Sequence, residues 1–308
     1  MRRQFLSMFF SLLLPALGFT QDSLSFTQQE IVYGHKHGMG LTMIVVKPSK
    51  PNGKAIISII SGDWFSSYDF YPRALNRSKV FINAGYTVFL TMHSSTPMFD
   101  ITEAIADIKK AVQFVRYNAL SYGIDPDNIG ITGGSSGGHL ALLVGTSDDI
   151  RNPNAKDSVE KVSSKVQAVA VFSPPTDFLN WGEPGFNPVS QKPLLEQLGL
   201  LGAFGFKQFD STRFLYTLIE DKEKILAIIK SISPAELITA DDAPTYIMHG
   251  DQDKDVPLQQ SQLLQERMLA EKVPVVLTVI NGAGHSWKNM DEDRKEFIKW
   301  FNKYLKVK

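Results

Sequence analysis

The stretch from Asp127 to Leu140 constrains the fold more than any other part of the chain. The apolar run at 129–131 indicates a short buried strand, and the run at 140–144 indicates a helix. Between them lies a cluster of glycines around two serines. A strand, a sharp turn and a helix with Gly-x-Ser-x-Gly at the turn form a nucleophile elbow, which exposes a serine hydroxyl above a sheet. The glycines let the chain pass where a Cβ atom would clash. A plain anion-binding turn has a similar composition.

Two overlapping frames match this pattern, one at Gly133–Gly137 and one at Gly134–Gly138. We choose the first, with Ser135 at its centre, because Gly137 and Gly138 then occupy the following positions, where little space for a side chain is expected. The second frame, with Ser136 at its centre, would push His139 against the sheet. We therefore expect Ser135 to be the nucleophile and the amide of Ser136 to face a developing oxyanion.

Composition narrows the possible classes of protein. A chain of 308 residues can bury one large core, and α/β folds of this size often form a single domain. The charges balance to zero, which disfavours a nucleic-acid partner. The chain has no cysteine, so disulfides, thiolate metal sites and a cysteine nucleophile are excluded.

Residues 1–20 have the features of a secretion signal. Met1–Gln4 is basic, 5–19 is largely apolar, and the small residues Gly18 and Thr20 suit cleavage before Gln21. The apolar run is short for a transmembrane helix, which needs about 20 residues. We expect a secreted or periplasmic protein, with a mature domain at 21–308 and no stable membrane insertion after cleavage. An uncleaved anchor is the alternative.

Strand and helix patterns alternate along most of the chain. Strands are predicted at 31–33, 41–46, 54–60, 84–90, 166–172, 244–250 and 273–280, and helices at 99–122, 258–270 and 291–305. Asp100 is a plausible N-cap for the first of these helices. The alternation predicts an α/β fold with a mostly parallel central sheet flanked by helices. His35 and His37 lie between two strands, where we expect solvated loop residues rather than metal ligands.

The region at 179–239 interrupts the alternation. It begins with glycine, proline and aromatic residues and includes an amphipathic run at 214–232. We interpret it as a helical cap insertion above the sheet edge that carries the site.

Three chemically related features each follow a predicted strand. Ser135 comes first, an acidic cluster follows the strand that ends at Gly250, and His285 follows the last strand. A serine needs a base, and a carboxylate must orient that base. The loop after the strand at 54–60 contains Gly62 and Asp63, whose amides are candidates for the second oxyanion donor, although a plain turn fits equally well.

These motifs resemble the esterase and lipase group of the α/β-hydrolases. The segments that carry the resemblance are Gly133–His139, His249–Pro257 and Gly284-His285. The similarity is greatest to the bacterial feruloyl- and acetyl-esterase-like branch, which is related to prolyl-oligopeptidase catalytic domains. It covers roughly 31–305.

The resemblance implies roles for individual residues. Ser135 would be the nucleophile, His285 the base, and Asp253 the acid in preference to Asp251 or Asp255. The family's His-Gly-Gly-Gly-Trp oxyanion loop corresponds to residues 60–64, where the glycine and tryptophan at 62 and 64 remain and the histidine and two glycines do not. An amide at 62 or 63 could still donate, but a carboxylate on Asp63 would be unfavourable beside an oxyanion.

We therefore expect a secreted serine hydrolase that cleaves carboxylic esters, with no metal and no cofactor. Its substrate would be a small-molecule or glycan ester, such as an acetyl- or feruloyl-type ester on a polysaccharide. We expect the substrate pocket to include Trp64, His93, Asp177 and Trp181. A serine exopeptidase of the prolyl-oligopeptidase type and a non-catalytic binding protein on a hydrolase scaffold remain the alternatives.

Overall fold

The computed structural model describes residues 25–306, so the expected signal peptide at 1–20 lies outside the described residues. The strands in chain order are β1 (Phe26–Lys36), β2 (Met39–Pro48), β3 (Ala55–Ile59), β4 (Thr87–Thr91), β5 (Ile129–Gly134), β6 (Ala168–Phe172), β7 (Lys207–Asp210), β8 (Leu215–Leu218), β9 (Thr245–Gly250) and β10 (Val275–Ile280). The helices are α1 (Tyr71–Asn83), α2 (Ile101–Tyr117), α3 (Ala119–Tyr122), α4 (Ser136–Thr146), α5 (Lys192–Gln197), α6 (Lys222–Ser231), α7 (Leu258–Ala270) and α8 (Met290–Tyr304).

Eight strands form one sheet in the order β1-β2-β4-β3-β5-β6-β9-β10. The pairs β1/β2 and β2/β4 are antiparallel, and all other neighbours are parallel. The expected mostly parallel sheet is confirmed. Because β3, β5, β6, β9 and β10 run in the same direction, the loops at their carboxyl ends share one edge, where ligands of open α/β sheets bind.

Helices cover both faces of the sheet. One core layer packs α2, α4 and α7 against the sheet, and the other packs α1 and α8 against the opposite face. The strands β4 and β6 are buried along their whole length, as expected for strands covered on both sides. Within residues 25–306, no helix combines the length and apolar character needed to cross a bilayer.

The predicted helix at 99–122 is two helices. Its start is confirmed, since Asp100 caps α2 by accepting a hydrogen bond from the Thr102 amide at 2.9 Å. The α2 helix ends at Tyr117, and the short α3 ends at Gly123, which adopts a left-handed conformation. The helix α1 was not among the predicted helices, and of its side chains only Ser78, Phe81 and Ile82 are buried.

The insertion at 179–239 is not purely helical, so that part of the prediction is wrong. An antiparallel hairpin of β7 and β8 occupies 207–218, and α6 begins only at Lys222. Phe214 has a φ of 52° and turns the chain into β8. Asp221 then caps α6 by accepting from the Lys224 amide at 3.0 Å. The apolar run at 214–232 is therefore divided between a strand and a helix.

The first hairpin is longer than predicted, and His35 lies within β1 rather than in a loop. His37 forms the turn with a φ of 48°. Its Nε2 atom lies 2.7 Å from the hydroxyl of Tyr216, which belongs to the inserted hairpin. This contact connects the first hairpin to the insertion.

Candidate active site

Ser135 occupies a sharp turn between β5 and α4. Its φ of 53° and ψ of −125° are strained for a residue other than glycine. The Ser135 amide donates a hydrogen bond to the Phe172 carbonyl at 2.8 Å, which fixes the turn against β6. At Gly133, a Cβ atom would lie 2.3 Å from the Gly137 carbonyl oxygen, so the turn requires glycine there. The structure thus has the geometry of the predicted elbow.

The structure distinguishes the two candidate serines. Ser136 is the first residue of α4 and is only 1% exposed. Its hydroxyl lies 3.0 Å from the hydroxyl of Ser61 and is already hydrogen-bonded. Ser135 is partly exposed at the tip of the turn. This arrangement favours the frame centred on Ser135.

Asp253 and His285 form a hydrogen-bonded pair. The His285 Nδ1 atom lies 2.7 Å from Asp253 Oδ2, and the carboxylate is fully buried. The other candidate acids have different positions. Asp251 accepts a hydrogen bond from the Gly282 amide at 2.7 Å, and the Asp255 side chain is exposed. The geometry therefore agrees with the assignment of Asp253 that the resemblance implied.

His249 holds Asp253 in place. Its Nε2 atom lies 3.1 Å from Asp253 Oδ2 and 2.9 Å from the Val256 carbonyl. Both neighbours are acceptors, so Nε2 carries the proton. The Nδ1 atom lies 2.6 Å from the hydroxyl of Ser261. His249 has the position expected of a residue that orders the acidic loop.

Electrostatics favour an ionised carboxylate beside a basic imidazole. Burial favours the neutral form of Asp253, but hydrogen bonds from His249 and His285 outweigh it and hold the pKa of Asp253 well below its usual range. Burial also opposes the charged form of His285. The hydrogen bond and charge of Asp253 outweigh it, and with smaller contributions from Asp255 and Asp63 they raise the pKa of His285.

The loop after β10 extends back toward the elbow. In the sheet, β6 and β9 separate β5 from β10, so this loop must cross two strands for His285 to approach Ser135. The ring of Trp287 lies 5.7 Å from the ring of Phe172, the residue whose carbonyl fixes Ser135. The loop therefore reaches the end of β6, the strand next to β5. Within residues 25–306, Ser135 Oγ forms no hydrogen bond to the imidazole, whose Nε2 atom is not used by Asp253.

The expected oxyanion donors differ in availability. The amide of Gly62 donates to the Phe65 carbonyl at 2.9 Å, so the prediction that Gly62 supplies a free donor is wrong. In the described part of the chain, the amides of Asp63 and Ser136 have no acceptor. Asp63 has a φ of 51° and an exposed side chain. These two amides are the remaining candidate donors, and the second lies at the N-terminus of α4.

Trp64 is buried rather than open to a substrate pocket. It is 4% exposed, and its indole N–H donates to His139 Nδ1 at 3.0 Å. The His139 Nε2 atom lies 2.7 Å from the Ile232 carbonyl. Burial lowers the pKa of His139 to about 4, so its ring is neutral near pH 7. The two side chains connect the elbow helix to the insertion, and the placement of Trp64 in the pocket lining is corrected to a packing role.

Two other expected pocket residues are also buried. Asp177 is fully buried and accepts hydrogen bonds from the Leu179 amide at 2.8 Å and from the Asn180 side chain at 2.9 Å. His93 is 6% exposed, and its Nδ1 atom lies 2.7 Å from the Ser94 carbonyl. The Asp177 carboxylate and the Nδ1 atom of His93 hydrogen-bond within the loops that contain them, and a contact of either residue with substrate stays a prediction.

Trp181 keeps a partly exposed position. Its ring stacks on Phe178 with centroids 5.9 Å apart and an interplanar angle of 4°. A contact between Trp181 and substrate stays a prediction.

An eight-stranded, mostly parallel sheet with this elbow and an acid–histidine pair at the same edge defines an α/β-hydrolase fold. Comparison with protein-family models identifies the family within this fold. Residues 43–268 match the BD-FAE family model, and the chain belongs to the BD-FAE family.

Curated relatives share parts of the sequence. The chain is 28% identical over 184 residues to the "Probable carboxylic ester hydrolase LipM" of Mycobacterium tuberculosis, covering 59% of this chain and 38% of the relative. It is 26% identical over 236 residues to the "Esterase LipQ" of the same organism, covering 76% of this chain and 50% of the relative. The chain thus spans half or less of the length of these two relatives.

Solved structures share the fold over nearly the whole chain. A "Truncated form of carbohydrate esterase from gut microbiota" has a TM-score of 0.72 at 24% identity and covers 92% of this chain and 98% of its own. An acetyl ester-xyloside bifunctional hydrolase from Caldicellulosiruptor lactoaceticus has a TM-score of 0.67 at 20% identity, covering 89% and 96%.

Proposed function

We propose that this protein is a serine hydrolase that cleaves carboxylic esters through an acyl-enzyme. The observation that carries the proposal is the hydrogen bond between Asp253 and His285 at the sheet edge that also holds the strained Ser135 turn. The same three residue types at the carboxyl ends of parallel strands form the catalytic arrangement of α/β-hydrolases. The names of the curated relatives, both ester hydrolases, support this reaction class.

In the proposed reaction, Ser135 Oγ attacks the ester carbonyl while His285 Nε2 takes its proton. Asp253 accepts from His285 Nδ1 and stabilises the imidazolium. The amides of Asp63 and Ser136 hold the oxyanion. His285 then protonates the departing alcohol. In the second half, His285 takes a proton from a water molecule that attacks the acyl carbonyl, the bond to Ser135 Oγ breaks as His285 returns the proton to it, and the carboxylic acid leaves.

For the substrate, we propose acetyl- or feruloyl-type esters carried on polysaccharides. The structural neighbours whose names mention carbohydrate and acetyl esters support this choice, as does a match to an acetylxylan esterase of Xylanibacter ruminicola, 25% identical over 107 residues. Hydrolysis of acetylated and feruloylated xylan fragments by the purified protein tests it. Activity on simple nitrophenyl esters with none on either fragment would contradict this choice of substrate but not the reaction class.

The reaction itself is tested with 4-nitrophenyl acetate and butyrate. We expect Ser135→Ala to lower turnover by roughly 10⁴-fold or more. The matched variant Ser136→Ala keeps the backbone amide and loses only the hydrogen bond to Ser61, so it should retain most of the turnover. Equal turnover by wild type and Ser135→Ala would refute the assignment.

We also propose that residues 1–20 direct export, on the basis of their basic start and apolar run. Expression of the full chain in a bacterial host and mass determination of the periplasmic or secreted product test this. A product that begins at Gln21 is expected, and a protein that stays in the cytoplasm with residue 1 intact would contradict it.

A further inference from the structure

A cavity lies beside the elbow, on the face of the sheet covered by α1 and α8. Its volume is about 200 Å³. One wall is formed by Ser61 and Gly62 of the loop that carries the candidate oxyanion donor, and another by Gly133 and Gly134 just before the nucleophile. The cavity therefore adjoins both the proposed oxyanion site and the elbow. It is smaller than the 300–1,000 Å³ that is usual for drug-sized ligands, so it suits a small group.

Three arginines line this cavity. Arg73 and Arg77 lie one turn apart on α1, and Arg294 projects from α8. Across residues 25–306, Arg73 and Arg77 form no salt bridge and no side-chain hydrogen bond to the protein. Guanidinium groups present several N–H donors in a planar fork that matches carboxylate, sulfate and phosphate oxygens.

One carboxylate partly balances this charge. Asp291 forms a salt bridge with Arg294, but its side chain is 64% exposed whereas that of Arg294 is 10% exposed. Burial lowers the pKa of Arg294 to about 10, so this group stays protonated near pH 7. Burial and the neighbouring charge of Arg73 also lower the pKa of Arg77. Arg294 is buried, Arg77 is partly buried and Arg73 is exposed. The cluster thus keeps excess positive charge in a site that is only partly open to water, where an anion would relieve the repulsion between arginines.

Arg294 also contacts the framework of the elbow. Its guanidinium carbon lies 4.9 Å from the centre of the Phe172 ring, and the Phe172 carbonyl accepts the hydrogen bond from the Ser135 amide. The arginine cluster and the nucleophile therefore share one supporting residue. Ser78, which is 2% exposed, adds a hydroxyl to the lining.

We propose that this cavity is an anion subsite that binds a carboxylate- or sulfate-sized oxyanion group between Arg73, Arg77 and Arg294. The group would be a carboxylate carried by the ester substrate or a free inorganic anion. The first source rests on the proposed esterase function, and the second does not.

Binding of a free anion is measured without reference to activity. The thermal unfolding of the protein is followed in sodium sulfate and in sodium chloride of equal ionic strength. A specific site predicts a saturable, sulfate-specific rise in the unfolding temperature of the wild type, since a ligand that binds only the folded state stabilises it. Arg77→Gln should remove this rise. Lys79→Gln, an exposed charge removed from the same helix, is the matched control and should retain it.

Binding of a substrate carboxylate is measured with two esters of similar chain length, 4-nitrophenyl hemisuccinate and 4-nitrophenyl pentanoate. We expect Arg77→Gln to lower kcat/KM for the anionic ester on the order of tenfold relative to the neutral ester. Arg77→Lys should recover part of this preference, and Lys79→Gln should keep all of it. Circular dichroism confirms that each variant is folded.

Each combination of results decides the proposal. A response to sulfate with no preference between the esters supports a subsite for free anions, and a preference for the anionic ester supports a substrate subsite. If Arg73→Gln and Arg77→Gln change neither measurement in folded protein, the proposal is overturned. If neither the wild type nor any variant hydrolyses the neutral ester, the proposed esterase function fails. The sulfate measurement still shows whether the cavity binds an anion.

Discussion

Asp63 carries a carboxylate on the loop whose amide is the candidate oxyanion donor. The side chain is exposed, while its charge contributes to the raised pKa of His285. A base must be neutral to accept the serine proton, so a raised pKa means that activity is lost at a higher pH than for an unperturbed histidine. The same charge opposes the negative charge that develops on the oxyanion.

We predict that Asp63→Asn moves the acidic limb of the kcat/KM profile to lower pH and raises turnover near neutral pH. Removal of this carboxylate weakens the preference of His285 for its charged form. Because Asp63 is exposed, the difference between variant and wild type should shrink in 1 M salt. The pH dependence of 4-nitrophenyl acetate hydrolysis checks this.

Asp69→Asn is the matched control, since Asp69 is an exposed carboxylate six residues further along the same loop and does not contribute to the raised pKa of His285. Its profile should coincide with that of the wild type. Coincident profiles for Asp63→Asn and the wild type would show that the charge at this position does not act on the base.

The adjacent glycines of the elbow provide a second prediction. A Cβ atom at Gly133 would lie 2.3 Å from the backbone of Gly137, which cannot move without disturbing α4. At Gly134 the nearest atom would be Phe172 Cβ at 3.7 Å, an ordinary contact. We expect Gly133→Ala to lower the free energy of unfolding by about 1–3 kcal/mol or more, and Gly134→Ala by much less. Denaturant titration compares them, and equal losses would contradict the steric argument.

Elements that are buried on both faces could be predicted from the sequence. The strands β3, β5, β6 and β9 appear as short apolar runs bounded by turn residues, and Asp100 signals the start of α2. The hairpin of β7 and β8 could not be predicted in this way. Its strands are only four residues long and their side chains are mostly exposed, so they lack the buried apolar run by which the central strands are predicted.

The N-cap of α2 connects this helix to the inserted hairpin. Asp100 is 2% exposed and accepts from the Thr102 amide and hydroxyl at 2.9 and 2.6 Å, and from the Lys207 amide at 3.3 Å. We predict that Asp100→Ala costs about 1–2 kcal/mol of unfolding free energy.

Asp221→Ala is the control for the free energy of unfolding that is lost with an N-cap alone. Asp221 is exposed and accepts from the Lys224 amide at the start of α6, so its loss should cost less, about 0.5–1 kcal/mol. Chemical denaturation measures both variants. A larger loss for Asp221→Ala would show that the contact of Asp100 with the hairpin contributes nothing.

For the whole molecule, the order of the candidate residues along the chain indicates which side chains meet at one edge of the sheet. Parallel strands bring the loops after β5, β9 and β10 to one edge, so the sequence order identifies Ser135, the acidic cluster at 251–255 and His285. The choice of Asp253 within that cluster depends on the family resemblance. The pocket was not predictable. Whether Trp64 or Asp177 faces substrate or the interior depends on the packing of the insertion, which has no local signal. The hydrogen bond from the Gly62 amide to the Phe65 carbonyl likewise depends on a loop conformation with positive φ at positions 63 and 64.

Ester hydrolysis at this site requires an activated hydroxyl at Ser135. The most direct measurement is reaction of the folded protein with a fluorophosphonate, followed by peptide mapping by mass spectrometry. We predict one phosphonyl group, bound to Ser135, with labelling slowed strongly in His285→Ala because the hydroxyl then lacks its base. Folded protein that remains unlabelled, or a label on Ser136 in place of Ser135, would contradict the account.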